Sequence, residues 1–212
     1  MARVVWGASG GRRHEFGLDR GVLYANNNGY PWNGLFSVEE HSSGGDVESI
    51  YVDGRKINEI GSIPDFEATV KSYGMPSFLS LLNGFLEQRG GMFVWGQPAT
   101  RFGMSFRTLM SNDSGTSWYK IHLIYNALAS TPIMSHTTMN QETTLEEYSW
   151  DITTLPVAYS GGWWPGIASS YLVINSERAD VAKLAAVEDI LYGTDVVAPR
   201  LPTPTELMAL FA

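Results

Sequence analysis

Glu39, Glu40 and His41 form a compact group of titratable side chains. A carboxylate beside an imidazole can move protons near neutral pH, provided that a cleft surrounds the pair. On an alternating strand the same three residues make a solvated face. The four histidines, His14, His41, His122 and His136, are scattered and lack the spacing that brings ligands onto one metal ion. Residues 4–11, VVWGASGG, imitate the strand and glycine loop of a dinucleotide site, but such a loop must open directly into a helix that holds the phosphates. Here residues 12–16 run instead into the turn signal GLDRG, and no Tyr is followed four residues later by Lys. Serine stands in no nucleophile elbow, and no glycine loop carries the Lys and Ser or Thr of a phosphate cradle. Trp163 and Trp164 could stack on a sugar ring, although paired aromatics in a Gly/Pro loop also anchor the loop or bury at a subunit contact. The expectation is a protein without catalytic residues, cofactor or bound metal.

Composition narrows the class further. The 212 residues suffice for one sizeable core, and no Ser/Pro/Gly run divides them, so a single domain over 1–212 is expected. Fourteen Lys and Arg against 22 Asp and Glu give a net charge of −8, which argues against tight binding to nucleic acid phosphates. The chain contains no cysteine, which removes disulfides and thiolate metal sites and fits a reducing compartment. No apolar run approaches the roughly 18 residues of a membrane span, and the first residues lack the apolar centre of a signal peptide. Aromatic content of 12%, 22 glycines and only 17% charged residues suit a β-rich chain with many turns.

The elements follow from periodicity. Residues 102–109 and 118–128 alternate apolar and polar side chains around SNDSG at 111–115, predicting a long antiparallel hairpin. Phe102, Met104 and Phe106, with Tyr119, Ile121, Leu123 and Tyr125, are expected to form its core face. Lys120, His122 and Ile124 occupy the other face, suited to water and neighbouring subunits. Strands are also predicted at VLYA, LFSVEEHS, DFEATVKSY, YSWDITTLPVAY and SYLVIN, and Asp53-Gly54 marks a type I′ hairpin between VESIYV and RKINEI. Residues 76–88 carry Phe78, Leu81, Leu82 and Phe85 at helical spacing behind Pro76. A later helix places Val181, Leu184, Val187 and Leu191 on one core face, with Asp180 as N-cap and Gly193 beyond its end. Thr203-Pro204-Thr205-Glu206 reads as a capping box opening a short terminal helix. Three irregular stretches remain: an N-terminal arm over about 1–20, a long loop over about 129–147 and a C-terminal arm over about 194–212.

Several of these stretches, in order along nearly the whole chain, resemble the major tail tube proteins of long-tailed (siphovirus-type) bacteriophages. They are DRGVLY with PWNGL, DFEATVKSYGMP, the run from GQ to FGMSFRT, YKIHLIYNALA, SWDITTLPV, and EDILYG followed by PRLPTPTEL. The apolar MPSFLSLLNGFLEQRGG and the aromatic GGWWPG depart from that pattern. The resemblance implies a mainly β, β-sandwich or barrel-like tail tube domain with one flanking α-helix and extended arms. It implies homohexameric rings stacking into a helical tube around a tape-measure protein, capped by tail terminator and baseplate or tip proteins. DNA passes through the lumen without specific binding. The location implied is the virion tail, assembled in the host cytoplasm, with no membrane contact. Given that channel, the excess acid is expected to face inward, with Glu39, Asp46, Glu48 and Glu59 as the lumen-facing candidates. The competing class is a β-sandwich carbohydrate-binding module or glycosidase, which requires an exposed aromatic platform and, for hydrolysis, two carboxylates about 5 to 10 Å apart.

Overall fold

The computed structural model describes residues 6–76, 78–79, 83–132, 138, 145–162 and 168–212. The fold is mainly β, with two flanking α-helices among the described residues. Strand β1 (Arg13–Ala25) turns through Asn26 and Asn27 into the short β2 (Asn28–Pro31). β3 (Leu35–Ser43) is followed by a hairpin of β4 (Val47–Val52) and β5 (Arg55–Gly61), then by β6 (Asp65–Ser72). Asp53 and Gly54 lie at φ 50° and 74°, the left-handed pair that a type I′ turn requires.

The helix predicted over residues 76–88 does not run to its expected end. Phe78 and Leu79 are helical, but Phe85 begins strand β7 (Phe85–Arg89), which pairs with β8 (Met92–Trp95). Gly84 explains the switch, because it sits at φ 83° and a Cβ there would lie 2.2 Å from the Gln97 carbonyl oxygen. Only glycine permits both the left-handed backbone and that approach. Gly90 and Gly91 form the turn of this second hairpin rather than a helix end. Leu81 and Leu82 lie outside the described residues.

The alternating run becomes β9 (Phe102–Asn112) and β10 (Ser117–Ala129). β11 (Tyr148–Thr153), the two-residue pair β12 (Val157–Ala158) and β13 (Ala168–Ser169), and β14 (Tyr171–Asn175) complete the strands. The order is β2-β1-β9-β10-β11-β6-β3, with β14 also on β10. β14 pairs with β10 at Lys120–Ile124, whereas β11 pairs at Leu128 and Ala129. β10 thus belongs to two leaves, a first with β2, β1, β9 and β14 and a second with β11, β6 and β3. It changes leaf at an irregularity between Ile124 and Ala127, where Asn126 lies at φ 49°, the device by which strands turn the corner of a sandwich.

Between the leaves lies a core that includes Leu23, Val70, Met104, Phe106, Ile124, Trp150 and Ile152. Trp32 packs edge-on to Trp150, and its indole N–H donates to Ser72 Oγ at 3.1 Å. A second core, with Val22, Tyr24, Ile121, Leu123 and Tyr125, covers the outer side of the first leaf. The expected grouping of the hairpin faces is therefore corrected. The register pairs Phe106 with His122 and Met104 with Ile124, so Phe102, Met104 and Phe106 oppose the face of Ile121 and Leu123. Both faces are interior, and His122 and Ile124, expected at a wet or intersubunit wall, are buried.

Helix α1 (Val181–Tyr192) and helix α2 (Pro204–Phe211) roof the second core. Asp180 Oδ1 accepts from the backbone N–H groups of Ala182 and Lys183, at 2.9 and 3.1 Å, and Gly193 follows the last turn at φ 79°. Leu184, Val187 and Leu191 are buried, but Val181, expected on the same core face, is 80% exposed at the first helical position. Thr203 and Glu206 make the reciprocal capping box of α2. Leu207 is buried in the second core, and the Tyr125 hydroxyl donates to the Pro202 carbonyl at 2.9 Å. The C-terminal stretch expected as an arm over 194–212 is thus docked on its own chain from Arg200 onward. At the other end, the arm expected over 1–20 supplies β1 from Arg13, paired with β9. Of the loop expected over 129–147, Ala129 closes β10 and residues 133–137 and 139–144 lie outside the described residues.

Leu184 seals the second core from the helix side, so Leu184→Ala is expected to cost about 2 to 5 kcal/mol, the range for a packed leucine. Denaturant unfolding followed by tryptophan fluorescence checks this, and an unchanged midpoint would place α1 outside the cooperative core.

Candidate assembly interface

Two hairpins leave the packed body with their apolar side chains uncovered. β4–β5 exposes Val47, Tyr51, Val52, Ile57 and Ile60, with Ile57 at 61%. β7–β8 exposes Leu86, Met92, Phe93, Val94 and Trp95, with Trp95 at 64%. Each is a separate two-stranded sheet, and an isolated pair of strands is marginal in water. Unpaired edges beside uncovered β-branched and aromatic residues are the features a further protein surface covers. Sequence periodicity registered β4–β5 as a hairpin but did not show that both of its faces stand clear of the core.

The four acidic candidates distribute around the base of the first hairpin. Glu39 on β3 accepts from Lys71 Nζ at 2.6 Å, and this bond, reinforced by the lysine's charge, holds its carboxyl below the usual range. Asp46 lies exposed between β3 and β4, and Glu48 lies exposed on β4. Glu59 on β5 is ion-paired with Lys56. Ser49 pairs with Glu59 and Glu48 with Ile60, so alternation sends Glu48 and Glu59 to opposite sides of the hairpin. The four carboxylates are not gathered on one face, and two of them are matched by lysines.

Glu39, Glu40 and His41 also divide. Glu39 and His41 turn outward, and His41 Nε2 lies 3.2 Å from Thr69 Oγ1. Glu40 turns the other way, where it accepts from the Tyr171 hydroxyl at 2.6 Å and lies 3.1 Å from His122 Nδ1. Nδ1 is also 2.6 Å from the Tyr171 oxygen. On the other side of the ring, Nε2 is 2.8 Å from Thr108 Oγ1, whose hydroxyl donates to Glu15 Oε1 at 2.6 Å. Lys120 Nζ donates to the second oxygen of Glu15, also at 2.6 Å. The imidazole is 4% exposed and lies flat on Phe106, with ring centroids 4.5 Å apart. The group borders a cavity of about 590 Å³.

Burial pushes both carboxyls up, but the hydrogen bonds and charges outweigh it. Lys120 and Thr108 bring Glu15 below its ordinary value, and His122 and Tyr171 do the same for Glu40. Burial, then the bond to Glu40, pushes the Tyr171 hydroxyl far up. The network unites β1, β3, β9, β10 and β14. Lys120 and His122 were visible in the sequence as polar interruptions of an apolar strand; Glu15, Thr108 and Tyr171 carried no local signal because register and leaf packing deliver them.

Among the described residues no group of three or more His, Asp or Glu is arranged to hold a metal ion. His14 is exposed on β1. His136, Trp163 and Trp164 lie outside the described residues, and the sugar-stacking reading of the tryptophan pair falls there.

The lowered carboxyls fix a sign. Their stabilisation is fully present above the unfolded-state value, about 4.3 for glutamate, and is lost as pH falls through the lower folded-state value. Thermal unfolding between about pH 6 and 3 is expected to show a smaller acid-induced fall in midpoint for Glu40→Gln than for the parent. Equal falls would remove Glu40 from the acid-sensitive set.

No protein-family model matches the chain, and no curated protein matches its sequence. Solved structures that align with it include two from injection-system assemblies. A chain of the anti-feeding prophage baseplate, a six-fold symmetrised cryo-EM structure, aligns at 7% identity and TM-score 0.40, over 82% of this chain and 97% of that one. A chain of the PVC sheath-tube complex, an extracellular contractile injection system in its extended state, aligns at 13% identity and TM-score 0.38, over 74% of this chain and 88% of that one.

Proposed function

We propose that this chain is a structural subunit of a phage-type tail, closing into six-membered rings that stack into a tube through which DNA passes. The observation that carries the reading is the β4–β5 hairpin, whose apolar residues are exposed on a chain that otherwise buries two cores. A monomer gains nothing from such a surface, whereas a repeating assembly covers it in every copy. The ordered sequence resemblance to tail tube proteins supplies the type of assembly. In that setting tape-measure, terminator and baseplate or tip proteins are the further partners, and the chain acts in the virion tail after assembly in the host cytoplasm. Its role is mechanical, without catalysis or cofactor. The net charge of −8, repeated around a ring, disfavours adhesion of DNA phosphates to the channel wall. Of Glu39, Asp46, Glu48 and Glu59, the proposed lumen-facing acids are Asp46 and Glu48, since Glu59 leaves the hairpin on the side opposite Glu48 and lysines offset Glu39 and Glu59.

Negative-stain microscopy of the purified protein tests the assembly. Rings or tubes of uniform diameter are expected, and a persistent monomer at high concentration would overturn the reading. The double substitution Ile57→Asp with Ile60→Asp should abolish assembly while shifting the monomer's unfolding free energy by less than about 0.5 kcal/mol, as for exposed sites in general. Sedimentation and thermal unfolding on the same sample separate those effects.

A further inference from the structure

The hydrogens of the buried network around His122 can be assigned by counting. Ionised carboxylates only accept, and a hydroxyl has one proton to give. The Tyr171 proton goes to Glu40 at 2.6 Å, and the Thr108 proton goes to Glu15 at 2.6 Å. Both hydroxyl oxygens therefore present lone pairs to the imidazole, at 2.6 Å from Nδ1 and 2.8 Å from Nε2. Each ring nitrogen must then supply a hydrogen. A neutral imidazole carries one, which would leave a lone pair facing a lone pair at hydrogen-bond distance.

From this geometry we infer that His122 is held as an imidazolium and acts as a proton-operated latch joining β3 to the first leaf. The charges close on that assignment: Glu15 and Glu40 are balanced by Lys120 and His122. Those residues, with the Tyr171 hydroxyl, are the titratable groups facing the ring from β1, β3, β10 and β14, and β9 contributes Thr108 and the stacked Phe106. The depressed carboxyls agree, since both are held in the accepting form.

The latch has a mechanical consequence. Among the described residues β3 pairs only with β6, at one end of the strand order. Its side-chain tie to the first leaf at this level is Glu40, and β3 runs on into the exposed β4–β5 hairpin. Loss of the second ring proton breaks one relay, strands a carboxylate charge and releases β3 from the first leaf at Glu40, leaving it held by its ladder to β6. Because the doubly protonated ring is the bonded form, the tie holds while both ring nitrogens carry hydrogen and is lost when one is removed. At the acid end, protonation of Glu15 and Glu40 sets the opposite limit. Control of subunit assembly by the latch rests on the tail-tube reading, whereas the latch itself belongs to the single chain.

Selective ¹⁵N labelling of histidine in the full chain, kept monomeric by Ile57→Asp with Ile60→Asp, tests it without any assembly. Across about pH 5 to 9, the ring shifts of His122, assigned by their loss in His122→Gln, should show both nitrogens protonated wherever β3 is protected. Hydrogen exchange at residues 39–42, corrected for its intrinsic pH dependence, should rise about tenfold at the midpoint of that ring titration, while the central β9 amides stay unchanged. A glutamine offers only one nitrogen donor group, so His122→Gln should show fast β3 exchange with no pH step. If that variant does not fold, Glu40→Gln gives the same reading, because it removes the charge that holds the ring proton and should flatten the step. A His122 ring with one bare nitrogen while β3 is protected, or a ring titration with no accompanying change in β3 exchange, would overturn the latch.

Discussion

Burial of strand β10 on both faces is the constraint from which the architecture follows. A strand covered on one side needs only alternation, but β10 buries Ile121, Leu123 and Tyr125 towards the helices and His122 and Ile124 towards the opposite leaf. Two apolar layers must therefore be recruited from elsewhere in the chain. α1 and α2 supply one, and β6 with β11 supplies the other. The left-handed Asn126 lets one strand serve both, since it bends β10 from its pairing with β14 to its pairing with β11. Even the single imidazole admitted to this strand is stacked on Phe106 and bonded on both edges, as expected where an unsatisfied polar group is costly.

Local chemistry was legible wherever a structure depends on neighbours in sequence. Asp53-Gly54, the Asp180 cap and the Thr203–Glu206 box needed only a few adjacent residues, and each forms as its residue types require. Alternation placed β3, β6, β9, β10, β11 and β14, but it does not carry register. A shift by one residue exchanges the two faces of a strand, so the partners of Phe106 and Met104 were misplaced although the strands themselves were not. At residues 85–88 helical spacing competed with one glycine. Gly84 prevailed because the chain crosses close to Gln97, a long-range contact that periodicity cannot register. Val181 shows the opposite limit, since correct helical phase does not by itself bury a residue at the first position of a helix.

The polar network marks where sequence reading ends in this molecule. Glu40 was grouped with its neighbours Glu39 and His41, yet its working partners, Tyr171 and His122, lie far along the chain. Pleating separates adjacent side chains onto opposite faces, so a compact cluster in sequence became two environments. One is solvated and offset by Lys71; the other is half-enclosed and joined to the opposite leaf.

The distribution of charge relative to apolar exposure ties the body to the proposed assembly. Residues 47–61 carry three acids and two bases, and residues 85–95 one of each, while the whole chain carries −8. The excess negative charge therefore lies almost entirely off the two exposed hairpins. A uniformly acidic subunit would repel its copies wherever they met. Placing near-neutral, apolar hairpins on an acidic body separates the two tasks: the body's charge keeps unassembled chains apart and repels phosphate, while the hairpins can be covered with little electrostatic opposition. Salt should then have little effect on hairpin burial itself, because its driving force is the removal of apolar surface from water rather than the pairing of charges.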